Sequence, residues 1–542
     1  MLEAQDTEVL IIGAGPVGLA LAIELGMRGV RCIVIEQNDR VGKNPRAKTT
    51  NVRTREHLRR WGIAENLRKA SKLPPDYPSD IIFATRLNGP QLAKIENGLN
   101  CDPAKNDLYS ESAQWIPQYV LEEVLRQHAV TLPSVEIHFE TSYLRTEQHG
   151  NEVRTTVRRL ADGEDVTIRS AYLVGADGAG SNVRKTIGAK MQGQGGLAQN
   201  LNVQFRAPQL AQMHPHGRAI QYWIINGDSP SLIGPMEGLD LWYFIATRVE
   251  GNPDDIDAKA MIRRAANLDF EMEILGTSAW AAHSLIADKY SDGRIFLAGD
   301  ACHLHPPFGG FGMNMGIGDA VDLGWKLAGM VQGWAGPALL ESYERERRPV
   351  HQWVIEEALA NYSMLGNHLS LPGLETPGPV GDATRREAGD VIFAAKLREF
   401  KTLGVVLGYQ YRDSPVIVSD GTELPPLNAM VYRPSACPGC VAPHLWLEDG
   451  TSLYDHFGPG YTLLATDGRD ASEMAAIQEV ARGLGIPLNV IAPKDCRLAR
   501  RYMAHLAIIR PDQHVAWRGN QLPEDLSGLL RQITGKQFLE AQ

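Results

Sequence analysis

Only six cysteines occur among 542 residues, and their spacing does not outline a disulfide framework. No apolar run approaches the roughly 20 residues needed to span a bilayer. The first apolar run, Val9-Leu10-Ile11-Ile12, is preceded by neither the basic start nor the small-residue cleavage site of a signal peptide. These absences predict a cytoplasmic protein with no membrane partner. Long basic tracts are missing too, and 54 Lys and Arg against 64 Asp and Glu give a formal net charge of −10, which argues against nucleic acid as a partner. There is no Gly-x-Ser-x-Gly elbow and no His-Glu-x-x-His helix, so hydrolase chemistry of the serine or zinc type lacks its residues.

What remains is a chain that is 44 % hydrophobic, enough for extensive cores and for about two to four domains. Its N-terminal run is too short for anything but a buried strand, and Gly13-Ala14-Gly15-Pro16-Val17-Gly18 follows it. A helix carrying Ala20, Leu21 and Leu25 comes next, then a turn at Gly29 and a β-branched run, Ile33-Val34-Ile35, that ends at Glu36 and Gln37. This is a dinucleotide-binding βαβ unit with its context intact. Gly13 permits the tight turn, Gly15 lets backbone approach a pyrophosphate, and Gly18 allows close helix–strand packing. Pro16 and Val17 open the helix, whose free N–H groups and dipole face the phosphates. Glu36 is placed to accept ribose hydroxyls, and its charge disfavours the 2′-phosphate of NADP here.

Two later segments extend the pattern: Gly175-Ala176-Asp177-Gly178 to Arg184, and Gly299-Asp300 followed by Ala301-Cys302-His303-Leu304-His305-Pro306-Pro307-Phe308-Gly309-Gly310-Phe311-Gly312-Met313-Asn314. With Pro45-Arg46-Ala47 and the Arg53–Gly62 segment, they give residues 1 to 360 a resemblance to the single-component FAD-dependent aromatic hydroxylases, the family typified by para-hydroxybenzoate hydroxylase. The resemblance implies that Arg46 reaches the FAD pyrophosphate, that Asp177 and Gly178 lie near it, that Gln118 contacts the cofactor and that Asp300 holds the ribityl chain. It also implies that Pro307, Gly310, Gly312, Met313 and Asn314 belong to the flavin cradle. The physical role of this loop is independent of the family: it opens a helix carrying Ile317, Val321, Trp325 and Leu327. A helix N-terminus stabilises the anion of reduced flavin by roughly 0.3–2 kcal/mol. The family often has Gln where this chain has Phe311.

The predicted fold is α/β: a Rossmann-like FAD-binding domain with an inserted antiparallel-sheet substrate domain and a C-terminal thioredoxin-like domain. The boundaries expected are 1–78, 112–189 and 288–370 for the discontinuous FAD-binding domain, and 79–111 with 190–287 for the substrate domain. A linker and helix over 371–400 lead to the thioredoxin-like domain, 401–542. Alternating runs at Asn202–Arg206, Ile220–Ile225 and Leu241–Ala246 predict the inserted sheet. Tyr222, Trp223, Trp242 and Tyr243 are the aromatic candidates for its pocket wall. Only one of each adjacent pair can face inward, and Tyr222 is favoured. Residues 338–368 read as helical, kinked or divided at Pro349, with the charges of Glu341–Arg348 forming a solvated or ion-paired face. Cys437-Pro438-Gly439-Cys440 precedes rather than follows the strand at Tyr461, a position that argues against thioredoxin-type redox chemistry. No second ligand pair has zinc spacing. His303 and His305 read as loop residues, and no metal is expected.

By resemblance, NAD(P)H reduces the flavin, O2 adds at C4a, and the hydroperoxide delivers oxygen to an electron-rich small-molecule aromatic ring. The protein must add a dry pocket and a group that activates a phenol. His305, Pro306 and Tyr222 are the candidates for that catalytic surrounding. No second dinucleotide motif is evident, which fits the family and leaves NADH and NADPH both open; the family commonly forms dimers, and a homodimer is left open. The alternative keeps the flavin for Baeyer–Villiger, epoxidising or dehydrogenating chemistry on a polyketide-like metabolite. No Trp-x-Trp-x-Ile-Pro segment of the halogenases is present. Retention of all three cofactor motifs argues against a non-catalytic binding protein on the same fold.

Overall fold

The computed structural model describes residues 6–39, 47–197, 199–247, 249, 256–363 and 369–536. Val9, Leu10 and Ile11 are fully buried, as a strand covered on both faces must be. Their strand, Asp6–Ile12, lies parallel to Cys32–Ile35 on one side and to Asp165–Gly175 on the other. Val135–His138 extends the sheet beyond Cys32–Ile35, and Ile295–Leu297 beyond Asp165–Gly175. An antiparallel pair, Thr141–His149 and Glu152–Arg159, joins it through Asp165–Gly175. Helix Pro16–Gly26 crosses this sheet and packs on the longer helix Gly312–Val331. Gly324 makes the approach possible, since a Cβ there would stand 2.6 Å from Cβ of Glu24.

A second sheet has seven strands, in the order Glu273–Ala281, Gln199–Arg206, Leu241–Ala246, Ser231–Pro235, Gln221–Ile224, Ile81–Ala84 and Gln91–Ile95. All its pairings are antiparallel except that of Gln221–Ile224 with Ile81–Ala84. Strands from 79–111 and from 190–287 therefore share one sheet. One face packs on helix Ala258–Ala266 through Val203, Phe205, Phe244 and Ile262. The other carries Phe83, Trp223 and Tyr243 toward Trp115, Phe308 and helix Pro379–Phe400.

A third sheet runs Leu488–Ile491, Tyr461–Ala465, Leu506–Ile509 and Val515–Gly519, the first pair parallel and the rest antiparallel. Its core continues into Trp325 and Trp334, beside the end of helix Gly312–Val331. Helix Pro337–Ser363 passes through Pro349 undivided, because neighbouring packing holds it where local propensity favours a break. The charges of this segment divide between the two readings: Glu341 and Arg345 are exposed, whereas Glu346 and Arg347 are each only 1 % exposed and are held in ion pairs. The chain is thus a mixed α/β protein with several sheets, as expected. Among the described residues, no helix is long and apolar enough to cross a membrane.

Candidate active site

The first two glycine motifs meet at the carboxyl ends of the parallel strands. Gly13 has φ +107°, and a Cβ there would lie 2.4 Å from the carbonyl oxygen of Ala176, next to Asp177. At Gly18 a Cβ would fall 1.9 Å from the Gly13 oxygen, so helix Pro16–Gly26 sits directly on the turn. Gly15, Gly178 and Gly312 behave differently, with nothing within 4 Å of the Cβ position. They border open space, as a cradle for a phosphate or ring requires. Glu36 is half-buried; its Oε2 accepts from the Ala14 N–H at 3.0 Å and its Oε1 from the Asn38 N–H. Gln37 beside it is exposed. Asp177 accepts from the N–H groups of Asn182 and Val183 at the start of helix Asn182–Thr186, and Gln118 donates from its side chain to Glu122. Arg46 lies outside the described residues.

The third motif closes on the first. Val17 occupies the space left by two glycines: a Cβ at Gly299 would meet its Cγ2 at 2.8 Å, and one at Gly316 at 2.7 Å. Asn314 is buried and holds the loop shut, since its Nδ2 donates to the carbonyls of Gly310 and Thr49, at 2.8 and 2.9 Å, while its Oδ1 accepts from the Asn51 N–H. The strand Thr49–Thr50 is thereby tied to the mouth of helix Gly312–Val331. Pro306 is buried, Asp300, Gly310 and Met313 are half-buried, and Pro307 is exposed.

Beneath the loop lies a polar network the sequence reading did not find. Asp319 Oδ2 accepts from His303 Nε2 at 2.6 Å and from the Gly299 N–H at 3.0 Å; Oδ1 accepts from His351 Nε2 at 2.7 Å and from Arg347 Nε at 2.8 Å. Burial alone would raise the Asp319 carboxyl, but His351, His303 and Arg347 outweigh it and hold it well below the usual carboxylate range. Burial lowers His351 to about 3 and His305 well below its ordinary value, so both imidazoles are neutral. The rings of His303 and His351 stack 3.7 Å apart at 21°. Both rings spend Nε2 on the shared Asp319 carboxylate. The signal in the sequence was an acid, Asp319, set among the apolar positions of a buried helix.

The choice of Tyr222 for the pocket wall is corrected. Its ring is buried on the far face of the seven-stranded sheet, 4.8 Å from His214 and 6.4 Å from Trp242, and its hydroxyl donates to the Gly217 carbonyl. Alternation then puts Trp223 and Tyr243 on the face toward the loop. Tyr243 lies 6.2 Å from Trp115, and the Lys48 ammonium rests 4.3 Å from the Tyr243 ring centroid.

Comparison with known proteins decides the family. The family model described as FAD binding domain matches residues 6–358, and that described as aromatic-ring hydroxylase, C-terminal, matches 435–536. The chain belongs to the FAD-dependent aromatic-ring hydroxylases. It is 30 % identical to 2,4-dichlorophenol 6-monooxygenase of Cupriavidus pinatubonensis (strain JMP 134 / LMG 1197), over 98 % of this chain and 97 % of that one. It is also 30 % identical to phenol 2-monooxygenase of Pseudomonas sp. (strain EST1001), over 96 % and 91 %. Among solved structures, RebC soaked with chromopyrrolic acid and holding 7-carboxy-K252c superposes with a TM-score of 0.91 at 34 % identity, covering 98 % of this chain and 99 % of RebC. Aklavinone-11 hydroxylase with FAD and aklavinone gives 0.82 at 28 %, covering 98 % and 100 %.

This hydroxylase is a flavoprotein monooxygenase, and its glycine motifs leave room for FAD: Gly15, Gly178 and Gly312 have open space at Cβ where a phosphate or ring could approach. The positions where secondary structure must close up are those where a Cβ would collide. Asp319, Arg347 and His351, none of them foreseen, buttress the same loop from below.

Proposed function

We propose that this hydroxylase uses NAD(P)H and O2 to hydroxylate a phenolic or related aromatic compound. In balance, Ar–H, O2, NAD(P)H and a proton give Ar–OH, NAD(P)+ and water. When bound, FAD takes the hydride equivalent from NAD(P)H and activates O2 for transfer. The observation that carries the reading is the Asn314 clamp, which ties the helix mouth at Gly310–Gly312 to Thr49, the strand partner of Trp115.

In this reading Gly13, Gly15, Pro16, Val17 and Gly18 bind the pyrophosphate and Glu36 the adenosine ribose. Asp177, Gly178, Gly299 and Asp300 line the path to the flavin, and Gly310, Gly312, Met313 and Asn314 hold its pyrimidine edge through backbone N–H groups and the helix dipole. His305 and Pro306 border the reacting ring and exclude water. The sheet strands support one domain over 79–111 and 190–287, inserted between FAD-binding segments 1–78, 112–189 and 288–370. The strand order from Tyr461 to Gly519 supports a thioredoxin-like unit over 401–542. In that unit Cys437 and Cys440 are structural: both are buried, and burial pushes the Cys440 thiol up to about 12.

The test is oxidation of NADH and NADPH under air by the FAD-loaded protein, with and without a panel of phenols, hydroxybenzoates and polycyclic aromatics, and with product mass recorded. A compound that accelerates oxidation and gains one oxygen on its ring supports the reading. A second reading moves the same chemistry to a polyketide-like substrate, favoured by the putative polyketide hydroxylases of Streptomyces halstedii and Streptomyces coelicolor (strain ATCC BAA-471 / A3(2) / M145), which are 30 % and 29 % identical to this chain; turnover confined to the polycyclic members supports it.

A further inference from the structure

Lys48 stands at the junction of the flavin loop and the seven-stranded sheet. Its backbone is fixed, for its carbonyl accepts from the Ile116 N–H at 2.8 Å. The next residue, Thr49, pairs with Trp115 and is held by Asn314. Thr49 faces the loop, with its Cβ 3.5 Å from where a Cβ of Gly310 would be. Lys48 reaches the other way, over Tyr243.

The surroundings of that ammonium are aromatic and already satisfied. Tyr243 spends its hydroxyl on the Ile220 carbonyl at 3.3 Å, and Trp115 its indole N–H on the Pro235 carbonyl at 3.2 Å. Neither polar tip is therefore available to a further partner, and what each ring offers is its face. Among the described residues no carboxylate pairs with Lys48: burial alone shifts it, down to about 8, with no opposing charge to restore it. The contrast is Lys396 on the same side of the sheet, 4.5 Å from the Trp223 ring centroid, which is buried and bonded to Glu399 at 2.9 Å. Lys48 is half-buried, and a cation that has lost part of its water without gaining a counter-ion is stabilised by an opposite charge that comes to it. Tyr243 supplies a cation–π contact, which offsets part of that loss and leaves the remaining N–H donors free.

We propose that the Lys48 ammonium anchors an anionic oxygen of the aromatic substrate, a phenolate or a carboxylate, so that the substrate class is an acidic aromatic. The inference rests on the hydroxylase reading above and makes it more specific. The ring of such a substrate packs against Trp115 and Tyr243 while its charged oxygen meets Lys48. Lys48 is in this role a specificity-determining residue, and its ammonium also favours ionisation of a bound phenol.

Calorimetric titration of the FAD-loaded full chain tests this with four probes: benzoate and 2,4-dinitrophenolate as the two anions, benzamide and nitrobenzene as neutral counterparts. Wild type is expected to bind an anion more tightly than its counterpart. Lys48→Met is expected to weaken that anion by about 30-fold or more, leaving the neutral probes unchanged, and Lys48→Arg to retain most of the preference. Which anion is affected distinguishes carboxylate from phenolate recognition. FAD content and unfolding temperature of each variant show that the fold is kept. Equal binding of anions and neutral probes by wild type, no binding of either anion, or undiminished anion binding by Lys48→Met overturns the proposal. Should ring hydroxylation still be observed in those cases, the hydroxylase reading survives alone; anion selectivity without hydroxylation of any aromatic overturns the hydroxylase reading instead.

Discussion

Arg510, on the loop after strand Leu506–Ile509, grips Glu346 of helix Pro337–Ser363 with both arms of its guanidinium, at 2.6 and 2.9 Å, and neither side chain is exposed. Asp322, Asp512 and Lys326 complete the group: Arg510 also bonds Asp322 and Asp512, and Lys326 bonds Asp322 and Glu346. Three carboxyls face two cations. Burial raises Asp322 well above the usual carboxylate range, whereas Arg510 and Lys326 override burial to hold Glu346 below it.

Removing the shared cation takes a partner from three carboxyls. Arg510→Ala is expected to destabilise the protein by about 3–5 kcal/mol, read from denaturant unfolding with bound FAD monitored separately. Arg510→Lys keeps the charge but loses the fork and should recover only part of the loss. A change below about 1 kcal/mol for Arg510→Ala, the level of an exposed pair, would refute the account.

Acid should weaken the fold well before the carboxylates titrate. Burial lowers His351 to about 3 and both His444 and His514 to about 4, against an ordinary value near 6.5. Between those values the unfolded chain binds protons that the folded chain refuses, so stability rises with pH across that window. It is fully present above the ordinary histidine value and is lost progressively as pH falls toward about 4. Unfolding temperature should thus be flat above pH 7 and drop by several degrees by pH 5. His351→Gln, which can still donate to Asp319, should shallow the slope; an unchanged slope in that variant counts against His351 as a contributor.

Gly15 and Gly18 separate binding from folding. Gly18→Ala drives a methyl into the Gly13 carbonyl and is expected to cost about 1–3 kcal/mol of stability even without cofactor. Gly15→Ala meets no protein atom and should leave the apoprotein's unfolding curve intact while weakening FAD by at least tenfold. Equal effects of the two substitutions on the apoprotein would show that the open space at Gly15 is not the phosphate side.

The two faces of the seven-stranded sheet should differ in the same way. Tyr222→Phe loses one buried hydrogen bond, about 0.5–1.5 kcal/mol, and should leave KM for the aromatic unchanged. Tyr243→Leu removes the ring beneath Lys48 and should raise KM. The reverse result would return Tyr222 to the pocket.

The glycine motifs were legible because each is local: turn, helix start and strand end lie within a few residues, and chemistry and conformation demand the same amino acids. Strand positions in the inserted sheet were legible from alternation, but alternation is symmetric. It states that Tyr222 and Trp223 face apart without stating which side holds the pocket; that is decided by where helix Ala258–Ala266 docks. Asp319, Arg347 and His351 owe their roles to contacts across long stretches of chain. Lys48 stood two residues from an Arg singled out by resemblance, and only the approach of Tyr243 gives its charge a meaning.

The seam at Arg510 means that helix Gly312–Val331 is held from far downstream, with Arg510 meeting its Asp322 at a separation of 188 in sequence. Cutting the chain in the loop before Cys437 would not release an intact flavin module. It would leave Lys326 between two acids in an opened interior and take from Arg53 its partners Gln513 and Asp512. Any attempt to shorten, permute or swap parts of this enzyme must therefore carry the last fifth of the chain along with the N-terminal scaffold.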